Sequence, residues 1–482
     1  MKRKFITNLG FFLLLNVIIK PIYVFGIDRT VQNEVGAEIY GRYFVFFNVA
    51  LIFQILLDLG IETFIRNEIS KYPKLLGRYL SNIAVLKILL LIPYFLICSG
   101  VAFARGLTKT EIPLLVIILI NQFTASFILY FRSNLGGLQK FKTESIVSVL
   151  DRILMILIVG YLLINVSTRS VFRIEWFVLA QTFSYSVVVL ISFLLLMRSS
   201  KTIKPEFNLK FIWPIINRLK PYAALVLLMA IYYRGDSVLL GILLHDGDEQ
   251  AGIYAHGFRI LDFMSNYALL FPILLLPLFS KTIQQGKKID GLLKLSTFLL
   301  IVPSFIVLVP AVLYRIELFQ LLYDEQISLS ADAFAILTIS FLGMCISYTF
   351  GALLTANGNL QQLIIMAACA VVLSITLNFI LIPKYKVMGA AISNASTQIF
   401  TILVHILIAR RIFKLSIKYA TILRLILFSA VLLLSGLIVN RFNLDWYFGT
   451  IVIITTGVFL AFVTGLISIR GIFIILRRED LS

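Results

Sequence analysis

The sequence predicts an all-α integral membrane protein of about 14 transmembrane helices, arranged as two pseudo-symmetric six-helix lobes plus two extra C-terminal helices. Of its 482 residues, 60% are hydrophobic and 14% are charged, against about 25% charged residues in a soluble domain. Apolar runs of about 20 residues, long enough to cross a bilayer, recur along the whole chain. The basic residues behind the net charge of +19 lie mostly in short loops between these runs. That distribution is typical of membrane topology, not of a nucleic-acid surface.

The apolar runs give the expected spans in chain order. They cover residues 5–26, 42–65, 80–103, 112–134, 146–166, 175–197, 220–243, 252–280, 294–315, 331–355, 362–382, 389–409, 421–440 and 448–469. The first run has no small-residue cleavage site after it, so it is interpreted as a retained helix. With its amino end inside, most Lys and Arg of the loops and termini lie on the cytoplasmic side. Both termini are then expected in the cytoplasm.

The pattern of loops and spans predicts four segments. They are an N-terminal six-helix lobe (1–200), a cytoplasmic amphipathic linker (201–219), a C-terminal six-helix lobe (220–412), and helices 13 and 14 with a cytoplasmic tail (413–482). A weak repeat supports the two lobes: Ala37–Tyr40 opens the second span and Ala251–Tyr254 opens the eighth, 214 residues later. This offset also relates Lys20 to Arg234 and indicates a parallel repeat.

Charged residues inside the spans are the candidate functional residues, because each costs about 2.5–3.5 kcal/mol on insertion scales. Lys20 and Arg234 are interpreted as the lining of a cavity for an anionic substrate. The alternative is that they extend to the outer interface, which Lys20 reaches easily if only six residues of its span follow it. Arg259 and Asp262 either pair with each other one turn apart, or Arg259 joins Arg234 and leaves Asp236 or Asp262 to bind a coupling ion.

A second set of charges lies near the predicted cytoplasmic ends of helices. Asp58, Glu62 and Arg66 recur every four residues and are interpreted as an intrahelical ladder. Arg132 ends the fourth span and Arg152 begins the fifth, where they either guide a phosphate or mark the interface. Asp58, Arg66, Arg132 and Arg152 are therefore candidates for a cytoplasmic gate. The three histidines are far apart in the sequence, and no metal-ligand spacing or phosphate-binding glycine loop is present, so neither a metal nor a cofactor is expected.

Four motifs carry a resemblance to a known family. They are Gly36–Tyr43, Leu57–Ile61 with the following Arg66-Asn67-Glu68, Gly252–Ala255, and the hairpin sequence Leu377–Ala391. In this order they resemble the polysaccharide exporter family of the multidrug/oligosaccharidyl-lipid/polysaccharide (MOP) superfamily, and within it the O-antigen (Wzx-like) flippases of lipid-linked oligosaccharides.

This resemblance implies two lobes around a central cationic cavity that opens alternately to each side. It implies translocation of an undecaprenyl-pyrophosphate-linked oligosaccharide, the repeat unit of an O-antigen, capsule or exopolysaccharide, from the cytoplasmic to the periplasmic leaflet of the bacterial inner membrane. Lys20, Arg234, Arg259 and Arg42 are the expected substrate-binding cations. The expected partners are this lipid, the bilayer and other polysaccharide assembly proteins, without nucleic acid. The driving force is expected to be the membrane potential or a proton or sodium gradient.

Two other functions compete with this interpretation. A drug/cation antiporter of the MATE type calls for an acidic cavity, whereas the intramembrane charges here are mainly basic. A membrane polysaccharide polymerase or ligase calls for a sizeable outer loop with catalytic residues, and the predicted outer loops are short. The sequence therefore predicts a transporter and not an enzyme.

Overall fold

The computed structural model describes residues 11, 14–198, 208–415, 419–442 and 445–466. These residues form helices and turns without a strand, which confirms the all-α fold class. The chain divides into two compact units, Met1–Ala255 and His256–Ser482. The four segments expected from the sequence remain a prediction.

The first unit begins with helical residues 14–21 and a π-helical segment, Ile22–Asp28, that runs directly into the next helix. Its further helices are α1 (Arg29–Phe53), α2 (Ile55–Asp58), α3 (Ile61–Lys71), α4 (Leu76–Ala104), α5 (Ile112–Gly137), α6 (Phe141–Ile164), α7 (Val166–Arg169), α8 (Ile174–Met197) and α9 (Leu209–Leu243). Helix α10 (Gly247–Ala268) starts in this unit and continues into the second.

The second unit contains the remaining helices. They are α11 (Leu270–Gln284), α12 (Asp290–Leu313), α13 (Arg315–Leu322), α14 (Ile327–Ala356), α15 (Leu360–Phe413), α16 (Tyr419–Arg441) and α17 (Trp446–Val463). Among the described helices, α14 and α15 pack against each other most extensively. Helices α16 and α17, the extra pair expected at the C-terminus, pack on α12 through a buried apolar cluster that includes Val302, Phe428 and Ile453.

Eleven stretches of the described residues are long and apolar enough to cross a membrane. Two of them, Leu14–Lys71 and Leu360–Phe413, contain 58 and 54 residues, about twice the length that one crossing needs. Each is interrupted where the backbone leaves helical geometry, at Gly36 and at Lys386. Each stretch therefore folds as two crossings, and the predicted number of about 14 is close.

The first helix is longer than the sequence predicts. It was expected to end near Gly26, but helical structure continues to Gly36, whose φ of 77° and ψ of 166° turn the chain. The helix extends past Gly26 although Asp28 and Gln32 are polar, because both side chains are buried, at 2% exposure each. The side-chain amide of Gln32 donates to the carboxylate of Asp28 over 3.2 Å. The hydroxyl of Tyr40 donates to the same carboxylate over 3.0 Å. Polar side chains that satisfy one another can extend a helix beyond its apolar run.

The start of α9 covers the described part of the predicted linker. Residues 199–207 lie outside the described part, and α9 then runs unbroken from Leu209 to Leu243. Asn208 caps its first turn by accepting from the backbone N–H of Phe211. Ile212, Ile215 and Leu219 are buried in the core of the first unit, whereas Trp213 is 56% exposed. This segment is therefore a continuous helical extension of the seventh predicted span.

The eighth predicted span, 252–280, is interrupted. Helix α10 ends at Ala268, Leu269 forms a turn, and α11 begins at Leu270. Pro272 follows in the first turn of α11, where its missing N–H removes no intrahelical hydrogen bond.

The hairpin Leu377–Ala391 is tighter than the sequence predicts. Helical geometry continues through Pro383 and Tyr385, and only Lys386 departs from it, with φ 50° and ψ −127°. The two arms then approach so closely that a Cβ on Gly389 would overlap the carbonyl oxygen of Leu381. Only glycine fits at such a contact.

Candidate functional site

Lys20 lies in the interior of the first helix. Because the helix continues to the break at Gly36, the assumption that only about six residues follow Lys20 in its span is wrong. Its side chain is half-buried. Helix α6 packs against the π-helical segment that follows Lys20, and Asn16 donates to the hydroxyl of Ser148 over 3.5 Å. Cavity lining by Lys20 and its extension to the outer interface both remain predictions.

Lys20 lies within electrostatic range of two other cations of the first unit. Lys20 is near enough to Arg132 of α5 and Arg152 of α6 for both to act on its charge, together with Asp151. The guanidinium of Arg152 stacks over the ring of Tyr23 at 4.6 Å and donates to the hydroxyl of Tyr185 over 3.3 Å. We call Lys20, Arg132 and Arg152 the basic cluster. The structure thus brings together a predicted cavity cation and two predicted gate residues.

Arg132 is the member of the basic cluster with spare donor capacity. Its Nε is buried and has no hydrogen-bond partner among the described residues. The carboxylates of Glu144, Asp151 and Glu62 act on its charge from a distance. A buried donor without a partner costs free energy, and an anion that accepted from Nε would recover it.

Arg234 and Asp236 lie on α9. Arg234 is half-buried, donates from Nη1 to the side-chain oxygen of Asn48 over 3.0 Å, and stacks on Tyr233 at 5.3 Å. Asp236 is fully buried. Arg259 and Asp262 are half-buried on α10 in the second unit. Substrate or ion binding by these residues remains a prediction, as does the pairing of Arg259 with Asp262.

Arg42 belongs to a cluster of opposite charges. Its Nε is 2.9 Å from Oδ2 of Asp248 and 3.1 Å from Oε1 of Glu111, and its Nη2 is 3.3 Å from Glu38. Arg105 also contacts Asp248 and lies 3.9 Å from Glu111. We call Arg42, Arg105, Glu111 and Asp248 the ion-pair cluster. In this conformation Arg42 neutralises protein carboxylates, and substrate binding by Arg42 remains a prediction.

The ion-pair cluster lies where α1 and α10 cross. A Cβ on Gly41 would overlap the carbonyl oxygen of Asp248, and one on Gly252 would overlap that of Ala37. Two helices can approach this closely only through glycine. The crossing therefore holds Asp248 against α1, within reach of Arg42 and Arg105.

The same crossing revises the internal repeat. Gly36, at the break within α1, and Gly247, at the start of α10, are 211 residues apart. Gly41 and Gly252 are also 211 residues apart. Under this offset the contacts of Gly41 with Asp248 and of Gly252 with Ala37 are reciprocal. An offset of 214 does not relate these two contacts to each other. The correspondence between Lys20 and Arg234 is therefore not supported.

Two further ion pairs replace the ladder expected from Asp58, Glu62 and Arg66. Helix α2 ends at Asp58, and left-handed geometry at Leu59 and Gly60 separates it from α3. Asp58 lies 3.7 Å from Lys87 of α4. Arg66 forms a bidentate pair with Glu144 of α6, over 2.5 and 3.2 Å. The ladder prediction fails for Asp58, because the helix breaks between Asp58 and Glu62, whereas Glu62 and Arg66 remain one turn apart on α3.

Several of these partners were missed by the sequence interpretation. Lys87, Arg105, Glu111, Glu144 and Asp248 each complete an ion pair with a helix distant in the sequence. One signal was available for Lys87, since it lies within the apolar run 80–103 and so required a partner. Among the described residues, no group of three or more His, Cys, Asp and Glu is placed to hold a metal ion.

A family model described as "Polysaccharide biosynthesis protein" matches residues 7–283, more than half of the chain. The chain belongs to this family. The match confirms the resemblance to the polysaccharide exporters of the MOP superfamily. No curated protein matches the sequence significantly.

Solved structures with the same fold support this membership. A lipid II flippase MurJ in an inward closed conformation aligns with a TM-score of 0.70 and 14% identity, covering 97% of this chain and 99% of MurJ. An inward-facing MATE multidrug transporter aligns with a TM-score of 0.56 and 15% identity, covering 86% of this chain and 99% of its own. A MOP transporter from Pyrococcus furiosus Vc1, described by a reversed polarity of its binding pocket, gives 0.54 and 14%, covering 85% and 94%. At these identities the likeness establishes the fold of a multi-pass membrane transporter.

Proposed function

We propose that the protein flips a lipid-linked oligosaccharide with a pyrophosphate linkage from the cytoplasmic to the periplasmic leaflet of the bacterial inner membrane. The observation that carries the proposal is the buried Nε of Arg132, without a hydrogen-bond partner among the described residues, beside Lys20 and Arg152. In a polysaccharide biosynthesis family protein with a flippase-like fold, such a basic cluster suits an anionic lipid substrate better than a cationic drug.

The chemistry of the basic cluster fits a diphosphate. A diphosphate diester carries about two negative charges and many acceptor oxygens, which hydrogen bond strongly to guanidinium and ammonium groups. Such bonds would replace the water that the phosphates lose on entering a low-dielectric site. The polyprenyl tail can remain in the bilayer during this transfer, so only the charged linkage and the sugars require a polar environment.

The membrane potential provides a driving force for this transfer. Moving negative charge outward across an inside-negative membrane releases about 2.3 kcal/mol per charge per 100 mV. Transport therefore needs no ion cotransport on energetic grounds. Where a proton or sodium ion is used, Asp236 and Asp262 are the carboxylates we propose to bind it.

The two groups of ion pairs fit a transporter that opens alternately to its two sides. With the orientation expected from the loop charges, the ion-pair cluster of Arg42 and Asp248 lies at the outer end of the first unit. The pair of Arg66 and Glu144 lies at its inner end. Opening the outer side would separate Asp248 from Arg42 and Arg105, and opening the inner side would release Arg66.

The test measures the binding of farnesyl diphosphate, a short prenyl diphosphate, to the purified protein in detergent. Replacing Arg132 by Gln should weaken binding about tenfold, because a hydrogen bond to a charged group contributes about 1.5–3 kcal/mol. Arg173→Gln is the matched control, since Arg173 is exposed at the start of α8 and should leave affinity unchanged. Equal affinities for the wild type and Arg132→Gln, or binding of ethidium and not of the diphosphate, would contradict the proposal and favour the drug antiporter.

A further inference from the structure

A break in the second transmembrane segment exposes backbone oxygen atoms inside the first unit. Helix α2 ends at Asp58, and Leu59 (φ 50°, ψ 20°) and Gly60 (φ 81°, ψ 12°) follow in the left-handed region before α3 begins. Left-handed geometry at a leucine is costly. A break of this kind frees carbonyl groups of the preceding turn, and transporters use such unwound carbonyls to coordinate Na⁺ or H⁺.

The ammonium group of Lys87 lies at this break. Lys87 is 0% exposed, and its Nζ donates to the carbonyl oxygens of Leu57 over 2.8 Å and of Ser126 over 3.3 Å. The carboxylate oxygen Oδ1 of Asp58 is 3.7 Å from Nζ, and the ring of Tyr130 is centred 5.7 Å away. Two elements, α2 and α5, therefore place oxygen atoms around the ammonium group that α4 carries.

The buried carboxylate of Asp58 depends on Lys87 for a nearby positive charge. Asp58 and Glu62 both act on the charge of Lys87, and Arg132 and Arg66 act on that of Glu62. Oδ1 of Asp58 is buried, has no hydrogen-bond partner among the described residues, and lies 3.7 Å from Nζ of Lys87. Without that charge, the carboxylate would be left buried and uncompensated, which is strongly destabilising.

Two carbonyl oxygens and one carboxylate are also a ligand set for a hard monovalent cation, which binds to oxygen. We propose that the ammonium of Lys87 is a tethered cation that fills an oxygen site for a monovalent cation such as Na⁺ at the break between α2 and α3. The first unit therefore carries its own cation at this position and does not draw one from solution. The proposal concerns a cation site and does not depend on the identity of the transported lipid.

Removing the tethered cation should make the stability of the protein depend on Na⁺. Full-length Lys87→Ala is compared with the wild type in detergent, in 150 mM NaCl and in 150 mM choline chloride, by thermal unfolding. Sodium, which fits the site, should raise the midpoint of Lys87→Ala by about 3–8 °C over choline, which does not fit. The same change of salt should shift the unfolding midpoint of the wild type by a clearly smaller amount.

The matched control is the double variant Asp58→Asn/Lys87→Ala, which lacks both charges and should show no larger sodium effect than the wild type. Equal midpoints of Lys87→Ala in the two salts would overturn the proposal, and so would a sodium effect that survives in the double variant. If Lys87→Ala cannot be purified in NaCl while the double variant can, sodium does not replace the ammonium and the proposal fails. The wild type tests it independently, because a sodium-specific stabilisation that Asp58→Asn abolishes would show that the site is not filled by Lys87.

Discussion

Nε of Arg42 lies 2.9 Å from Oδ2 of Asp248, although the two residues are 206 positions apart in the sequence. The contact joins a helix of the first predicted repeat to the equivalent helix of the second. Asp248 is bound by Arg105 as well, so its carboxylate contacts two guanidinium groups, which it shares with Glu111.

We predict that Asp248→Asn destabilises the protein by about 3 kcal/mol, because it leaves Arg42 and Arg105 with one carboxylate fewer in a mostly buried site. The side chains of Asp248 and Arg105 are only 15% and 10% exposed. The measurement is the thermal unfolding midpoint in detergent. Glu38→Gln is the control, since Glu38 is 69% exposed and pairs with Arg42 within one helix; its effect should be below about 0.5 kcal/mol. Equal effects of the two variants would contradict a special role for Asp248.

The close crossing of α1 and α10 gives a second prediction. Gly252→Ala should cost about 3 kcal/mol or more, because its Cβ would overlap the backbone oxygen of Ala37 and the helices would have to separate. Gly100→Ala on α4 is the matched control, since among the described residues no atom outside its own stretch of helix lies within 4 Å of the position of its Cβ. The yield of monodisperse protein and the unfolding midpoint measure the difference. A stable Gly252→Ala variant would show that the crossing is looser than described.

Lys386 provides a prediction in the opposite direction. Its φ of 50° is left-handed, and its ψ of −127° lies outside the region that L-residues tolerate there. Lys386→Gly should therefore raise the unfolding midpoint, by an amount equivalent to about 1 kcal/mol. Lys386→Ala removes the same side chain but keeps the backbone strain, so it separates the two effects. If glycine is no better than alanine at this position, the hairpin does not hold the strained geometry.

The pair of Arg66 and Glu144 can be tested by a double-mutant cycle. Two hydrogen bonds join these side chains, and Arg66 is 44% exposed. A coupling of about 1 kcal/mol is therefore expected after allowance for solvent screening. The comparison is the pair of Glu68 and Lys71 on the same helix, 4.0 Å apart with Lys71 at 64% exposure, for which the coupling should be near zero. A coupling of zero for both pairs would show that the pair of Arg66 and Glu144 does not stabilise the inner end of the first unit.

The helices were largely predictable because a membrane span leaves a strong apolar signal of a fixed length. The breaks were harder to predict. The first helix continues beyond its apolar run because Asp28 is satisfied by Gln32 and Tyr40, and the contact with Tyr40, across the break at Gly36, is not visible in a local pattern. Similarly, the sequence Leu57–Ile61 carries no mark that Leu59 adopts a left-handed conformation.

The candidate residues were predictable singly but not as clusters. The cost of an intramembrane charge identified Lys20 and Arg234 without showing their neighbours. Lys20 lies near Arg152 and Arg132, which the sequence placed at the opposite end of the membrane from it, because the first span had been ended too early. The partners of Arg42 come from three separate parts of the chain, and only the folded structure brings them together.

The amount and leaflet of undecaprenyl-linked oligosaccharide in cells lacking this gene test the central claim most directly. The account predicts that the lipid accumulates on the cytoplasmic side, that the wild-type protein relieves the accumulation, and that Arg132→Gln relieves it poorly while Arg173→Gln relieves it fully. An unchanged pool of this lipid in the deletion strain would contradict the flippase. Equal relief by the wild type and Arg132→Gln would contradict the basic cluster as its binding site.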